Sequence, residues 1–165
     1  MQPQSTAKAC LPPIVDDGTR LLILGSLPGD ASLAAERYYA HPQNQFWQLL
    51  GRALGEPLET LDYAVRLDRL RARRVGLWDV VSSAVRPGSL DGALRSIAAN
   101  ALCELIADLP ALRAIAFNGG TAARIGRRAL GTPALVLIDL PSSSPAFTAP
   151  LADKAAVWAR LADFL

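Results

Sequence analysis

The chain has 165 residues, 51 % of them hydrophobic, and a formal net charge of +2, enough material for one globular domain with a substantial core. No apolar stretch approaches the roughly 18 residues of a membrane-spanning helix, and Met1 to Leu11 lacks the basic start and continuous apolar middle of a signal peptide, so a cytoplasmic protein is expected. Cys10 and Cys103 are the only cysteines and His41 the only histidine, which excludes a four-cysteine iron–sulfur cluster within one chain and argues against a zinc site.

Residues 1–18 read as a loosely attached tail, leaving residues 19–165 as the domain. The apolar run Leu21 to Leu24 reads as a buried strand that empties into the turn Gly25-Ser26-Leu27-Pro28-Gly29. Helical spacing follows at Gln45 to Leu54 and again at Leu61 to Arg74. A second strand is expected at Val75 to Val81, a helix at Leu94 to Leu109, and a third strand at Ala114 to Phe117. Thr121 to Leu130 reads as a helix and Ala134 to Ile138 as a fourth strand. Leu151 to Leu165 closes the chain with Val157, Trp158, Leu161 and Phe164 on one helix face.

Strands alternating with helices predict an α/β fold, a three-layer α/β/α sandwich around a short, mainly parallel four-stranded sheet. In such sheets ligands bind where the loops at the carboxyl ends of the strands converge. Those loops are Gly25 to Gly29, Ser82 to Ser89, Asn118 to Thr121 and Leu140 to Pro145.

Two of the seventeen cations are lysines, Lys8 and Lys154, and the rest are arginines. The runs Arg71 to Arg74 and Arg124 to Arg128 suit phosphate oxygens, yet such runs are most often solvated helix faces.

Between Tyr39 and Trp47 the sequence YAHPQNQFW gathers three aromatics, the histidine, a proline and an asparagine within nine residues, a mixture foreign to an ordinary amphipathic helix. Nucleotide-binding alternatives fail on the first loop. GSLPG is not GxGxxG, Pro28 removes a backbone N–H from any phosphate cradle, and neither lysine follows a glycine loop. Ser26 does not sit in a GxSxG elbow, which argues against a serine hydrolase.

Taken in order, GSLPG, YYAHPQNQFW, GLWDVVSSAVRPGSL, AFNGGTAARI and LPSSSPA resemble the uracil-DNA glycosylase superfamily, and more closely its hypoxanthine (deoxyinosine) branch, over about Leu21 to Trp158. Departures from the wider superfamily are informative. Many relatives carry Asp or Asn inside the first loop, where this chain has Ser26 and Leu27, and a polar residue before Pro-Ser in the later loop, where it has Leu140. The resemblance implies a monofunctional DNA glycosylase that flips out and excises deaminated bases, hypoxanthine first. It implies Asn44 as the catalytic residue and Tyr39 as the stacking platform, with Tyr38 turned toward the core. DNA carrying deaminated bases is the implied partner of a monomer, with no metal or organic cofactor. A uracil or thymine mismatch glycosylase is the neighbouring alternative, and a module that senses bases without cleaving them is the alternative from another class.

Cleaving an N-glycosidic bond passes through an oxocarbenium-like sugar, so the attacking water needs placement more than deprotonation. The Asn44 amide oxygen can accept a proton of that water. Asn44 can equally cap the helix expected from Gln45. Backbone N–H groups of Ser26, Leu27 or Gly29 are expected to meet the departing base. His41 reads either as a donor to a phosphate or base or as a loop histidine bonded to backbone. Asn118 can both donate to and accept from a base edge, or simply mark a strand-to-helix turn with Gly119 and Gly120, and Asp79 and Ser82 are weaker candidates. Pro141, Ser142, Ser143, Ser144 and Pro145 form a stiff, hydroxyl-rich loop suited to DNA phosphates, a composition shared with ordinary surface turns.

Overall fold

The computed structural model describes residues 7–85 and 95–165. A four-stranded sheet forms the centre, in the order β3-β2-β6-β7 and parallel throughout. Its strands are β2 (Leu21–Gly25), β3 (Val75–Asp79), β6 (Ala114–Asn118) and β7 (Val136–Leu140). β2 and β6 lie between two neighbours and are buried at every position, as continuous apolar runs in a parallel sheet must be. β7 is an edge strand and alternates instead, with Ile138 and Leu140 inside and Val136 and Asp139 outside.

Two apolar layers cover the sheet. One face carries Leu21, Ile23, Leu77 and Ala116 against helices α2 (Phe46–Leu54) and α6 (Leu151–Trp158), the latter continued by a 3₁₀ segment Ala159–Phe164. The other face carries Leu22, Leu24, Ile115 and Phe117 against α4 (Leu102–Ala107) and α5 (Gly120–Leu130). Gly126 of α5 lies so close to Phe117 that an added Cβ would meet its ring at 2.3 Å, so the glycine sets the helix-to-sheet distance. Two further helices, α1 (Asp30–Ala35) and α3 (Tyr63–Ala72), complete the outer layers.

Several expectations are corrected. Residues 7–18, expected to hang loosely, are held from Ala7 onward. β1 (Ala7–Ala9) pairs antiparallel with β4 (Val81–Val85), Leu11 is buried, and Ile14 exchanges backbone hydrogen bonds with Leu77 at 2.9 Å. The run Val75 to Val81 is two strands rather than one. After Asp79 the Val80 and Val81 N–H groups donate to the carbonyls of Gly25 and Ser26, turning the chain out of the parallel ladder and into β4.

The helix expected over Leu94 to Leu109 is helical only as α4. Arg95–Ala99 forms β5, antiparallel to β4, so β1, β4 and β5 make a second, three-stranded sheet. Strand pairing overrides the helical preference of an alanine-rich stretch there. Asn100 ends that strand by donating from its side chain to the Asp79 carbonyl at 2.7 Å and from its backbone to Val80. Leu94 lies outside the described residues. The fourth strand runs two residues later than expected, because the ladder begins where Val136 N–H donates to the Arg113 carbonyl.

Candidate active site

The carboxyl ends of β2, β3, β6 and β7 open into one cavity of about 770 Å³. Its lining combines the first loop (Gly25 to Gly29), Tyr38, Tyr39, His41, Asn44, Asp79, Asn118 and Ser142 to Phe147. Of the four loops expected to converge there, Ser82 to Ser89 contributes none of its described residues, 82–85, to the lining, and residues 86–89 lie outside the described residues. Ser82 and Ser83 belong to β4, and that strand end contributes Asp79 instead.

The segment before α2 is built around Tyr38. Its hydroxyl donates to the Pro12 carbonyl at 2.8 Å and more weakly to Leu11. Its own N–H donates to Tyr63 Oη, and Trp47 Nε1 donates to its carbonyl. Burial, and then the nearby Asp79, push the Tyr38 phenol well above its ordinary range, so it stays a donor. With Tyr38 pinned inside, Tyr39 adopts the left-handed backbone (φ 53°) and turns its ring the other way. That ring stacks on Phe46 with centroids 3.7 Å apart and planes 9° apart. Phe46 is itself fully buried.

Gly25 permits the closest approach at the cavity floor. A Cβ there would meet both Asp79 Oδ1 and Tyr39 Oη at 2.8 Å. His41 is exposed, and its Nδ1 accepts from the Gln43 N–H at 3.1 Å, which leaves the Nε2 side facing outward. Ser26, Leu27 and Pro28 are buried in the wall, and Gly29 precedes α1 at the rim.

Asn44 and Asn118 meet through Ser143. Asn44 Oδ1 accepts from the Phe46 N–H at 3.0 Å and from the Ser143 hydroxyl at 2.8 Å. Asn118 Oδ1 accepts from the Ser143 N–H, and its Nδ2 donates to Ser143 Oγ, both at 2.9 Å. Ser143, expected to face DNA, is only 1 % exposed, and its hydroxyl is held between the two amides. Pro141 is absent from the lining, whereas Ser143 belongs to it. The Pro141 carbonyl takes the Trp158 Nε1–H at 3.0 Å and anchors the loop to α6. Ser142, Ser144 and Pro145 line the cavity beside Ser143. The turn into α5 is made by Gly119 at a φ of 97°, while the Asn118 side chain reaches Ser143.

Sequence reasoning missed Lys154 and Phe147. Lys154 is 1 % exposed, and Nζ donates to the Phe147 carbonyl at 2.7 Å and to Gln45 Oε1 at 2.9 Å. One ammonium thus ties the loop after β7 to the residue following Asn44. Phe147 sits at the cavity rim, 47 % exposed, with the Lys154 ammonium 5.2 Å from its ring centre. The arginine runs lie elsewhere and are partly spent: Arg73 donates to the Leu54 carbonyl, and Arg127 bonds Asp139. Among the described residues no group of three or more His, Cys, Asp or Glu side chains could hold a metal, and no helix is long and apolar enough to cross a membrane.

A parallel α/β/α sandwich whose strand-end cavity joins an asparagine, a stacked tyrosine and a serine-proline loop is the framework of an enzyme that handles an extruded base. The profile of the uracil DNA glycosylase superfamily matches residues 12–164. The chain belongs to that superfamily and is a DNA glycosylase. A hypoxanthine DNA glycosylase of Methanosarcina barkeri is 38 % identical over 154 residues, covering 92 % of this chain and 96 % of the relative. A hypoxanthine DNA glycosylase of Methanosarcina acetivorans is 40 % identical over 141 residues, covering 84 % and 87 %. The solution NMR structure of a Methanosarcina acetivorans protein, described as a candidate uracil DNA glycosylase, superposes with a TM-score of 0.79 at 37 % identity. It covers 94 % of this chain and 99 % of that one.

Proposed function

We propose that this DNA glycosylase removes hypoxanthine from deoxyinosine in DNA, by hydrolysis and as a monomer in the cytoplasm, without metal or organic cofactor. The observation that carries the reading is one cavity in which the first loop, the Tyr39 to Asn44 segment and the Ser142 to Pro145 loop meet from three separate parts of the chain. Its volume of about 770 Å³ has room for a purine nucleoside, within the usual ~300 to 1,000 Å³ of ligand sites.

The target base leaves the stack and lies against the face of Tyr39 opposite Phe46, a contact worth roughly 1 to 3 kcal/mol per base. Backbone groups of Ser26, Leu27 and Gly29 surround the purine, with His41 at the rim. Ser142, Ser144 and Pro145 face the strand from which the base was drawn. Bond cleavage leaves an oxocarbenium sugar and a purine anion. Water held beside Asn44 adds its oxygen to C1′, and its proton ends on the departed base, so the products are an intact abasic strand and free hypoxanthine.

Hypoxanthine presents a carbonyl O6 and an N1–H, where adenine presents an amine and a bare nitrogen. With both ends of Asn118 bonded to Ser143, Asp79 at the floor is the better acceptor for N1–H. Adenine reverses both contacts, and each buried mismatch costs about 1 to 3 kcal/mol, so normal adenine is refused by several hundredfold or more.

Single-turnover release from duplexes that differ only in hypoxanthine, uracil, xanthine, thymine or adenine tests this. Fastest release of hypoxanthine with none of adenine is expected. Faster release of uracil would move the chain to the mismatch-uracil class, and binding without release from any duplex would make it a sensing module.

A further inference from the structure

The two amides at the cavity have a polarity fixed by backbone alone. A backbone N–H can only donate, so the Asn44 atom 3.0 Å from Phe46 N is its oxygen. The same argument makes oxygen of the Asn118 atom 2.9 Å from Ser143 N. Asn118 Nδ2 must then donate to Ser143 Oγ, and the Ser143 hydroxyl has one proton left, which it gives to Asn44 Oδ1. Both lone pairs of the Asn44 oxygen are thereby occupied. The end of that amide without a partner among the described residues is Nδ2, beside the cavity.

We propose that Ser143 and Asn118 are positioning residues that turn the Asn44 amide so that it serves the reaction as a hydrogen-bond donor, through Nδ2, rather than as an acceptor through its oxygen. The inference rests on the glycosylase site proposed above. A water whose oxygen accepts from Nδ2–H keeps a second lone pair to aim at C1′, so a donor can place the nucleophile as well as an acceptor can. It also forbids the arrangement in which Asn44 oxygen takes a water proton, since an amide oxygen offers two lone pairs and both are taken. Frame rigidity supports the assignment: Gln45 N–H donates to the Ser143 carbonyl at 3.0 Å, and Asn44 N–H to the His41 carbonyl at 3.0 Å.

Asn44→Asp separates the two polarities. The carboxylate keeps an oxygen for Phe46 and Ser143 and replaces the donor end with a second acceptor. Single-turnover excision should fall about a hundredfold or more at neutral pH, the usual loss when one aimed donor is removed, and recover in part as the pH is lowered and the carboxyl protonates. An Asn44→Asp enzyme as fast as wild type would overturn the inference while leaving the glycosylase reading intact. Ser143→Ala should lower the saturated rate about ten- to a hundredfold with duplex affinity unchanged, because the hydroxyl orients Asn44 and touches no DNA. Weakened affinity at an unchanged saturated rate would make Ser143 a phosphate contact and overturn it. Should wild type release no base, the glycosylase reading fails, and the side-chain amide resonance of Asn44 still decides the relay. It should shift on Ser143→Ala in the free protein, and an unmoved resonance would refute the connection.

Discussion

The ring of Tyr39 lies flat on that of Phe46, 3.7 Å between centroids, so a residue of the cavity lining has one aromatic face fixed by the core. In the proposed reading, a ring backed this way needs no ordering when a base arrives. Tyr39→Ala should therefore weaken binding of a lesion duplex by roughly 1 to 3 kcal/mol, the value of one base–aromatic stack. Tyr39→Phe keeps the ring and should retain most of that affinity. Titrating both variants with hypoxanthine duplex and with undamaged duplex checks the assignment, since only the first should respond.

Gly25 is where sheet and site meet. Its backbone pairs with Asp79 in the parallel ladder, and a methyl group at its Cα would stand 2.8 Å from both Asp79 Oδ1 and Tyr39 Oη. Gly25→Ala must displace one of them. A stability loss of about 1 to 3 kcal/mol is expected from the overpacking. Excision should fall far more than the loss of folded protein accounts for, because the displaced groups line the cavity proposed to take the base. Thermal melting and single-turnover rates on the same preparation separate the two effects.

The sheet was legible because its strands are short apolar runs bounded by turns, and β2 and β6 lie where the pattern puts them. The second sheet was not. β1 is three residues long and β5 lies in an alanine-rich stretch, so both depend on pairing with β4 across the fold rather than on any local pattern. The cavity residues were mostly legible because they cluster in loops at strand ends. Ser143 and Lys154 were misplaced or missed for one reason: a serine in a turn and a lysine on a closing helix carry no local sign of burial. Their roles come from partners about 100 residues away, Asn44 for Ser143 and Gln45 for Lys154.

Lys154 is expected to hold shape as well as stability. Lys154→Met leaves the Phe147 carbonyl and the Gln45 side-chain oxygen without their donor, at about 1 to 3 kcal/mol per unsatisfied group. Burial lowers the ammonium below its ordinary 10.5. Between that lowered value and 10.5 the folded protein binds fewer protons at this site than the unfolded chain, so stability from this group rises with pH through that window and levels off above it. Wild type should therefore gain on Lys154→Met as pH is raised toward the upper end. Melting temperatures of both proteins across an alkaline series test the sign, and a constant gap would refute it.

The route of bond breaking follows from where the two lysines sit. Neither Lys8 nor Lys154 lines the cavity. Lys8 pairs with Asp30 at the start of α1, and the Lys154 ammonium is enclosed between Gln45 and Phe147. A Schiff base needs an amine that can reach C1′ of the sugar, and neither lysine is placed in the cavity proposed to hold it. Excision should leave the strand continuous until alkali or heat cleaves it at the abasic site. Borohydride added during turnover should trap no protein–DNA adduct, and Lys154→Arg, which keeps a donor for both partners, should yield the same intact product. A trapped adduct lost in a Lys154 variant would show that the ammonium leaves its buried bonds to reach the sugar, and the hydrolytic route would have to be abandoned.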